Sequence, residues 1–455
     1  MLQEKLRWTT NRENLVAEIR QCRDEGRDVA PLMSAALEIL DMPDNEEKER
    51  LAADMIVSLE RCPVRDDYRY VEPESYAEIR KSLTDCPAPL AKAQTDEIAP
   101  KLKGAWTGRA CGCLLGIPVE GWPRQKIHDY LRESGQYPLK KYISSDVASD
   151  IREKYAVSDL DPENSYDRVY KCWINNMKEL PIDDDLNYTM LSLRVLERCG
   201  KNFTSEDVAE AWLFGLPALH TCTAERVAYR NLLHSILPPA SGIYANPYRE
   251  WIGAQIRVDF YGYINPGDPQ TAAYMAYKDA CVAQTKNGLY AAMLVAAMVA
   301  ISAVCEDYRF IITEALKQIP PRSRLHEAVS DMVRNYDSGM SYIDMLDTIH
   351  EKYDEHDSFD WCLAIPNVLV IVCALLNYGD DYSSAICEAV LAGFDTDCNA
   401  ATVGSIIGYA KGIRAVDPKW TNPVRQIYHS SVHHYESFEI EELVRRTICV
   451  IKSDR

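Results

Sequence analysis

Two stretches of this 455-residue chain carry glycine at every fourth position, and this spacing constrains the fold more than any other feature. The first stretch contains Gly104, Gly108, Gly112 and Gly116, and the second contains Gly404, Gly408 and Gly412. A spacing of four keeps the glycines near one face of a helix. Glycine costs about 1 kcal/mol relative to alanine inside a helix. Each stretch therefore predicts a helix that another backbone approaches closely, and we call the two the first and second glycine helices.

The rest of the chain also predicts helices, and the expected fold class is all-α. The composition, 47% apolar and 26% charged residues, is that of a folded globular protein. One uncharged stretch of seventeen residues, Leu289 to Cys305, is rich in alanine. A membrane span needs about 20 strongly apolar residues, so this stretch predicts a helix buried in a helical core.

A proline-containing stretch divides the sequence into two parts. Asp85 to Pro100 includes three prolines and resembles a linker, so we place a domain boundary within it. Residues 1–95 then form an N-terminal helical extension of amphipathic segments joined by acidic connectors. Residues 96–455 form the main domain, which contains both glycine helices.

Charge and cysteine content exclude several classes of protein. The formal charge of −19 disfavours a broad nucleic-acid-binding surface and binding to an anionic membrane. The chain has 15 cysteines, and its first residues lack the apolar core of a signal peptide, so we expect reduced thiols and a cytoplasmic location. No CxxC pair occurs, and a zinc site built from cysteines is not expected.

Carboxylates border both glycine helices and open a third helix. The first glycine helix runs into Glu120, and Asp395 and Asp397 precede the second. A run of three acids, Asp183-Asp184-Asp185, opens a helix predicted over Leu186 to Arg198. Such acids often serve only as helix caps, and that interpretation stays open for each motif alone.

These carboxylates have a common explanation if the three elements meet. Convergence would create mutual repulsion, which a bound cation would relieve. Oxygen ligands of this kind suit Mg²⁺, Mn²⁺ or Ca²⁺ better than zinc, and five aspartates facing one pocket could hold two ions.

At this point three ordered motifs resemble the ADP-ribosylglycohydrolases. Gly108-Arg-Ala-Cys-Gly112-Cys-Leu-Leu-Gly116-Ile-Pro118-Val-Glu120 is similar to the family's opening pattern, a glycine-spaced helix ending in Gly-x-Pro-x-Glu. Asp183-Asp184-Asp185-Leu186 is similar to its Thr-Asp-Asp-Thr metal motif. Gly393-Phe-Asp395-Thr-Asp397-Cys398-Asn399-Ala400 is similar to its closing Gly-x-Asp-Thr-Asp-Thr-Asn-Ala pattern. The resemblance spans about residue 101 to the end of the chain.

The resemblance implies an all-helical hydrolase with a site for two magnesium ions, with manganese as an alternative. The substrate would be ADP-ribose or a related ribosyl group, as a small molecule or on an ADP-ribosylated acceptor, cleaved at an N- or O-glycosidic bond. The implied metal ligands are Asp183, Asp184, Asp185, Asp395, Asp397 and Cys398. Either Glu120 or Asp397 would be the general base.

The resemblance also implies how the substrate is held. Glu120 would line the ribose pocket, and the segment around Asn287 and Gly288 is similar to a loop that binds phosphate through backbone N–H groups. Asn187 and Asn399 would orient the ribose.

Departures from the family pattern leave other functions open. Asp183 and Leu186 stand where threonines are usual, Cys398 replaces a metal-binding threonine, and Cys113 stands where the family has an aspartate. One alternative is a nucleoside or ribosyl-metabolite hydrolase, in which the N-terminal extension and the insertion between Gly121 and Ile182 cover the pocket. Another is a non-catalytic ADP-ribose-binding protein, although retention of five carboxylates argues against it.

Overall fold

The structure is 63% helical and contains, among the described residues, only one sheet of two strands, which confirms the predicted all-α class. A computed structural model describes residues 5–84, 89–90, 98–161, 166 and 168–453. The N-terminal helices are α1 (Asn11–Asp24), α2 (Met33–Leu40), α3 (Glu46–Glu60) and α4 (Tyr76–Ser82). The next are α5 (Ile98–Gly116), α6 (Arg124–Glu133), α7 (Ser149–Tyr155), α8 (Asp184–Cys199), α9 (Ser205–Gly215), α10 (Thr223–Leu233), α11 (Ala240–Ile243), α12 (Asp259–Tyr263) and α13 (Pro269–Ala280).

The remaining elements complete the helical body and add one small sheet. The further helices are α14 (Lys286–Ser302), α15 (Tyr308–Leu316), α16 (Arg324–Asp337), α17 (Tyr342–Lys352), α18 (Ser358–Trp361), α19 (Ala364–Tyr378), α20 (Tyr382–Leu391), α21 (Thr396–Lys411), α22 (Pro418–Thr421) and α23 (Ile440–Lys452). Short 3₁₀ helices cover Ala30–Leu32, Ile117–Val119, Ala218–His220, Ile252–Arg257 and Ile413–Ala415. Strands β1 (Ile427–His429) and β2 (Ser437–Glu439) pair antiparallel, with Tyr428 opposite Phe438. Most of the predicted boundary segment, residues 85–88 and 91–97, lies outside the described residues, so the domain division stays a prediction.

The two glycine helices, α5 and α21, pack against each other in antiparallel orientation. Gly104 lies opposite Gly408, and Gly108 lies opposite Gly404. A Cβ atom added to Gly108 would lie 2.2 Å from the carbonyl oxygen of Gly404, where no side chain fits. The close backbone approach predicted from the glycine spacing is therefore confirmed, and each helix is the other's partner.

Helix α14 lies at the centre of the main domain. Every residue from Lys286 to Ser302 is buried, and the helix packs against α12, α13, α15, α19 and α21. The uncharged stretch that begins at Leu289 is thus a core helix, as predicted. Among the described helices, none combines the length and the apolar character that crossing a membrane requires.

Helices α1, α2 and α3 form a small core of their own. Its buried side chains include Leu15, Ile19, Ala36, Ile56 and Leu59. This core is separate from the large one, which extends through the rest of the helical body. The two cores are joined by apolar contacts, because Ala245 of the main body belongs to the small core and Ala17 of α1 packs against the large one.

Buried ion pairs attach the N-terminal helices to the main body. Arg249 Nη1 lies 2.8 Å from the carboxylate of Glu18, and its Nε lies 2.6 Å from that of Glu25. Lys286, at the start of α14, lies 2.6 Å from Glu25. Because an unpaired buried charge is costly, these contacts fix α1 in one position.

Candidate functional site

A large cavity lies where the N-terminal helices face the ends of α5, α8 and α21. Its volume is about 1280 Å³. Its lining includes Glu120, Asp184, Asp395, Asp397 and Cys398. Carboxylates from three distant parts of the sequence therefore meet, which is the convergence that the hypothesis of one acidic site required.

The first acid run forms the start of α8. Asp183 is the N-cap residue, and its side chain accepts a hydrogen bond from the backbone N–H of Asp185 at 3.2 Å. The helix begins at Asp184, two residues before the predicted start at Leu186. The acids thus are the cap and first turn of the helix, so their charges lie at its positive end.

The second acid pair is positioned by the close packing of the glycine helices. A Cβ added to Gly116 would lie 2.3 Å from the backbone nitrogen of Asp397, and Thr396 Oγ1 donates a hydrogen bond to the Gly116 carbonyl at 3.0 Å. Helix α21 begins at Thr396, slightly before the predicted start near Asn399. The backbone N–H of Asp395 donates to Asn367 Oδ1 at 3.1 Å. Asp395 is thereby held through its main chain.

Two groups of side chains within this site have the spacing of metal ligands. The first group contains Cys113, Asp183, Asp185 and Asp397, and the second contains Asp395, Asp397 and Cys398. All these residues are buried, and within each group the ligand atoms lie within 4.8 Å of one another. Asp397 belongs to both groups, so one carboxylate joins two candidate cation positions.

Unpaired buried oxygens test whether a cation fits. Asp185 Oδ2, Asp395 Oδ1 and Asp397 Oδ1 have no hydrogen-bond partner among the described residues. All three side chains are buried, with Asp395 the most exposed at 5%. Burying a carboxylate oxygen without a partner costs free energy, and a bound cation removes that cost. The donor set therefore fits a divalent cation.

The electrostatics of the cluster favour a bound positive charge. Burial raises the pKa of Asp397 and of Asp184 well above the usual range, and the neighbouring carboxylates raise both further. Burial also raises the pKa of Asp185 to about 8, against the opposing effect of Arg109. A cation among these groups would favour their charged forms.

Glu120 differs from the aspartates because its side chain is exposed within the cavity. It follows the 3₁₀ helix Ile117–Val119, which continues the first glycine helix. The cavity walls partly remove the Glu120 carboxylate from water, and this desolvation, followed by the negative charges of Asp395 and Asp183, raises the pKa of Glu120 to about 8. Glu120 is thus a carboxyl group that can reach a substrate and exchange a proton near neutral pH.

Two arginines neutralise part of the cluster, and neither was predicted from the sequence. Arg109 Nη2 lies 2.9 Å from Asp185 Oδ1, and Arg168 Nη1 lies 3.1 Å from Asp183 Oδ2. Arg109 stands within the opening motif, one helical turn before Cys113, so its position on the same helix face was a usable signal. Arg168 comes from the insertion after Gly121, where no pattern marked it.

Cys113 was also missed as a possible ligand. It is buried, and its thiol donates a weak hydrogen bond to Asp183 Oδ1 with an Sγ–O distance of 3.5 Å. Burial raises the pKa of the Cys113 and Cys398 thiols well above the usual value. The signal was the aspartate that the family carries at the position of Cys113.

The two asparagines predicted to orient the ribose are buried beside the site. Asn399 Nδ2 donates to Asn367 Oδ1 at 2.8 Å, and Asn399 Oδ1 has no partner among the described residues. Asn187 Oδ1 accepts a hydrogen bond from the backbone of Ser431 at 2.8 Å. Among the described residues that line the cavity, neither asparagine occurs, and their roles stay predictions.

Asn287 and Gly288 lie at the start of α14, apart from the acidic cluster. Asn287 Nδ2 donates to Glu72 at 2.8 Å, and Asn287 Oδ1 accepts from the backbone of Leu325 at 3.0 Å. A Cβ added to Gly288 would lie 2.8 Å from the Arg249 carbonyl oxygen. Asn287 lines a second, smaller cavity of about 290 Å³. The phosphate-binding role of this segment stays a prediction.

Comparison with known proteins gives one family match. The model of the ADP-ribosylglycohydrolase family matches residues 94–452. No curated protein matches the chain. One solved structure, described as an ADP-ribosylglycohydrolase-related protein complex, is 17% identical, covers 78% of this chain and 99% of its own, and has a TM-score of 0.47. The family match includes every member of the acidic cluster.

Proposed function

Because the chain belongs to the ADP-ribosylglycohydrolase family, we propose that it is a metal-dependent glycohydrolase. It would cleave the bond from the anomeric carbon of ADP-ribose, or of a related ribosyl group, to an acceptor nitrogen or oxygen. The observation that carries this proposal is the set of unpaired buried oxygens on Asp185, Asp395 and Asp397 beside a cavity that Glu120 faces. Such a site can hold a cation and a substrate together.

The residues that would hold the cations follow the two groups described above. Asp183, Asp185 and Asp397 would serve one ion, and Asp395 and Asp397 the other. Asp184, also expected to be a ligand, lies outside both groups and lines the cavity. The expected cofactor is Mg²⁺, with two ions bound and Mn²⁺ as the alternative. When bound, such ions act as Lewis acids toward the substrate oxygens they contact.

Glu120 is our choice for the proton-transfer residue, and Asp397 is the other candidate. Asp397 is 2% exposed and belongs to both ligand groups, which favours a role as a cation ligand over a role in proton transfer. Glu120 is exposed within the cavity, where it can hold or release a proton at its carboxyl oxygen. Geometry therefore supports Glu120 as the group that contacts the scissile bond.

Aromatic residues on the cavity wall support a substrate that contains a nucleobase. The lining includes Tyr166, Tyr248, Trp251, Phe359 and Trp361. Flat aromatic rings provide stacking surfaces for a purine.

A second candidate function is hydrolysis of a nucleoside or a small ribosyl metabolite. This candidate is supported by the two segments of the chain that contribute residues to the cavity wall. Trp8, Arg20 and Leu37 line the cavity from the N-terminal part, and Arg168 and Lys171 line it from the insertion after Gly121. Both added segments thus contribute to the wall, which favours a small substrate over a ribosyl group on a folded protein.

The cysteines that the structure describes are free thiols, which supports the proposed cytoplasmic location.

Calorimetric titration of ADP-ribose tests the proposal. We expect binding to protein loaded with divalent cation and loss of binding after EDTA treatment. Asp395→Asn should weaken cation binding by about 10–100-fold, because it removes a charged ligand candidate. The matched control is Asp380→Asn, since the Asp380 side chain is on the surface, where it pairs with Lys411. Binding that ignores both EDTA and Asp395→Asn would contradict the proposed site.

Turnover assays then separate the alternatives. Loaded protein is incubated with ADP-ribosylated peptides, with ADP-ribosyl small molecules and with free nucleosides, and release of the leaving group is measured. Release from nucleosides alone would favour the second candidate. Binding of ADP-ribose without turnover of any substrate would instead indicate a non-catalytic binding protein.

A further inference from the structure

Each of the two candidate cation positions contains one thiol. Cys113 lies with Asp183, Asp185 and Asp397 in the first group, and Cys398 lies in the second. In both groups, sulfur and carboxylate oxygens approach within 4.8 Å of one another. Both cysteines are buried, with Cys398 the more exposed at 5%. Neither position is therefore surrounded by oxygen alone.

Independent evidence that these positions face a ligand comes from their oxygens. Asp185 Oδ2 in the first group and Asp395 Oδ1 in the second are buried and lack a partner among the described residues. Asp397 belongs to both groups, and its Oδ1 is also buried without a partner among the described residues. The thiols thus lie beside carboxylate oxygens that have free lone pairs.

Sulfur changes which cation such a site prefers. Mg²⁺ binds hard oxygen ligands in near-ideal octahedral geometry and retains several waters. Thiolate is a soft ligand, and it favours ions such as Co²⁺ and Zn²⁺ that accept mixed sulfur and oxygen coordination. On binding, each ligating thiol releases its proton to solvent, so the new metal–sulfur bond replaces the S–H bond.

We propose that Cys113 and Cys398 make this a mixed sulfur–oxygen site, which binds a borderline divalent ion of the Co²⁺ or Zn²⁺ type more tightly than Mg²⁺. The inference rests on the proposed function, because it names the cation class of the same site. It differs from a cysteine zinc site, since each position takes its single thiol from a different helix, α5 or α21, and completes its ligands with aspartates.

Optical titration with Co²⁺ tests the proposal without relying on activity. Chelator-treated, reduced protein is titrated with Co²⁺, and thiolate-to-cobalt charge-transfer absorption is followed in the near ultraviolet. We expect this absorption in the wild-type protein, and its displacement by Zn²⁺ but not by an equal concentration of Mg²⁺. Absence of the absorption, or equal displacement by Mg²⁺, would overturn the proposal.

Cysteine variants assign the absorption to particular thiols. Cys113→Ser and Cys398→Ser should each reduce the absorption and weaken Co²⁺ binding by at least about tenfold. Cys111→Ser is the matched control, because Cys111 is buried on the same helix and its thiol contacts the Trp420 carbonyl, with an Sγ–O distance of 3.6 Å. Full absorption in both test variants would contradict ligation by these sulfurs.

A variant with an added carboxylate keeps the proposal testable if the serine variants fail to fold. Cys113→Asp should move the preference toward Mg²⁺, with circular dichroism reporting an intact helical fold. The proposed function can fail separately: cobalt–thiolate absorption without ribosyl hydrolysis by any metal form would retain the ligand assignment and reject the activity. Hydrolysis supported best by Mg²⁺, with no thiolate absorption, would retain the activity and reject the ligand assignment.

Discussion

At the residue scale, the charge of the acidic cluster is balanced unevenly. Asp183 and Asp185 each pair one oxygen with an arginine, whereas Asp395 and Asp397 form no ion pair with a lysine or arginine among the described residues. The sequence identified the aspartates because carboxylates at helix starts are a local pattern. It could not identify Arg168, since only the folded insertion brings that side chain to Asp183.

A residue-scale prediction concerns Glu60, which lies at the end of α3. Its carboxylate accepts a hydrogen bond from the backbone of Ala245 at 2.8 Å, and burial, followed by the charge of Glu18, raises its pKa from 4.5 to about 7. An acid whose pKa is higher in the folded state stabilises the fold most below its unfolded pKa. Its contribution is lost as pH rises from about 4.5 through 7. Because Glu60→Gln lacks this ionisation, its free energy of unfolding relative to that of wild type should increase by about 1–2 kcal/mol from pH 5 to pH 8.

Urea unfolding of both proteins at pH 5 and pH 8 measures this difference. Comparison with wild type cancels the groups that the two proteins share. Glu38→Gln, at an exposed position on α2, is the matched control for the substitution of glutamate by glutamine. If the free energy of unfolding changed by the same amount between pH 5 and pH 8 in wild type and in Glu60→Gln, the raised pKa of Glu60 would be contradicted.

At the element scale, the pairing of α5 with α21 leaves no room for side chains. Gly108→Ala would place a Cβ 2.2 Å from the Gly404 carbonyl oxygen. We expect a loss of about 3 kcal/mol or more, because a backbone atom cannot move aside as a flexible side chain can. Thermal unfolding followed by circular dichroism measures the loss, and calorimetry should show weaker cation binding as the helices separate.

Gly135→Ala is the control for the glycine substitution. Gly135 has φ +71°, and its added Cβ would meet no atom within 4 Å. The expected cost is only about 1–2 kcal/mol, from the left-handed backbone. A smaller loss for Gly108→Ala than for Gly135→Ala would show that the helix pair adjusts easily.

Local patterns predicted the elements well. The glycine spacing predicted both partners of the central helix pair, and the uncharged stretch predicted the buried α14. The starts of α8 and α21 were predicted two to three residues late, because the acids were treated as preceding each helix. Asp183 in fact caps α8 through its side chain, and Asp395 occupies the equivalent position of α21.

At the scale of the whole molecule, the N-terminal helices are part of the cavity wall. Arg249→Met would leave Glu18 and Glu25 buried without this partner. Breaking a buried ion pair on one side costs about 3–5 kcal/mol. We expect faster hydrogen exchange in α1 to α3, measured by mass spectrometry, with smaller changes in α14.

A surface ion pair provides the comparison for Arg249→Met. Arg445 is exposed and pairs with Glu442. Arg445→Met should leave hydrogen exchange in α1 to α3 unchanged, because exposed ion pairs contribute little to stability. Unchanged exchange in α1 after Arg249→Met would mean that other contacts hold the extension.

Cation removal is a second whole-molecule prediction. EDTA should lower the melting temperature, and a divalent cation should restore it, because binding to the folded state alone stabilises that state. At 100 times Kd the stabilisation is about 2.7 kcal/mol. Differential scanning calorimetry measures the shift, and Asp395→Asn should respond less than wild type. No response to any divalent ion would contradict a metal site.

The arrangement of the extension lay beyond sequence reasoning. Amphipathic segments predicted helices in residues 1–95, but their docking depends on Arg249 and Lys286, more than 200 positions away. The position of Asn287 beside Glu72 and Leu325 is likewise a tertiary outcome. Contacts between distant segments leave no periodic signal in one sequence.

The main-chain contact between Gly116 and Asp397 also links the geometry of the site to the position of two helices. A Cβ added to Gly116 would lie 2.3 Å from the backbone nitrogen of Asp397, so α5 and α21 touch there with no side chain between them. Cys113 and Asp397 belong to the same candidate ligand group and come from these two helices. A shift of one helix along the other would therefore move one ligand candidate relative to its neighbour, so the close packing of the helices also maintains the spacing of the ligands.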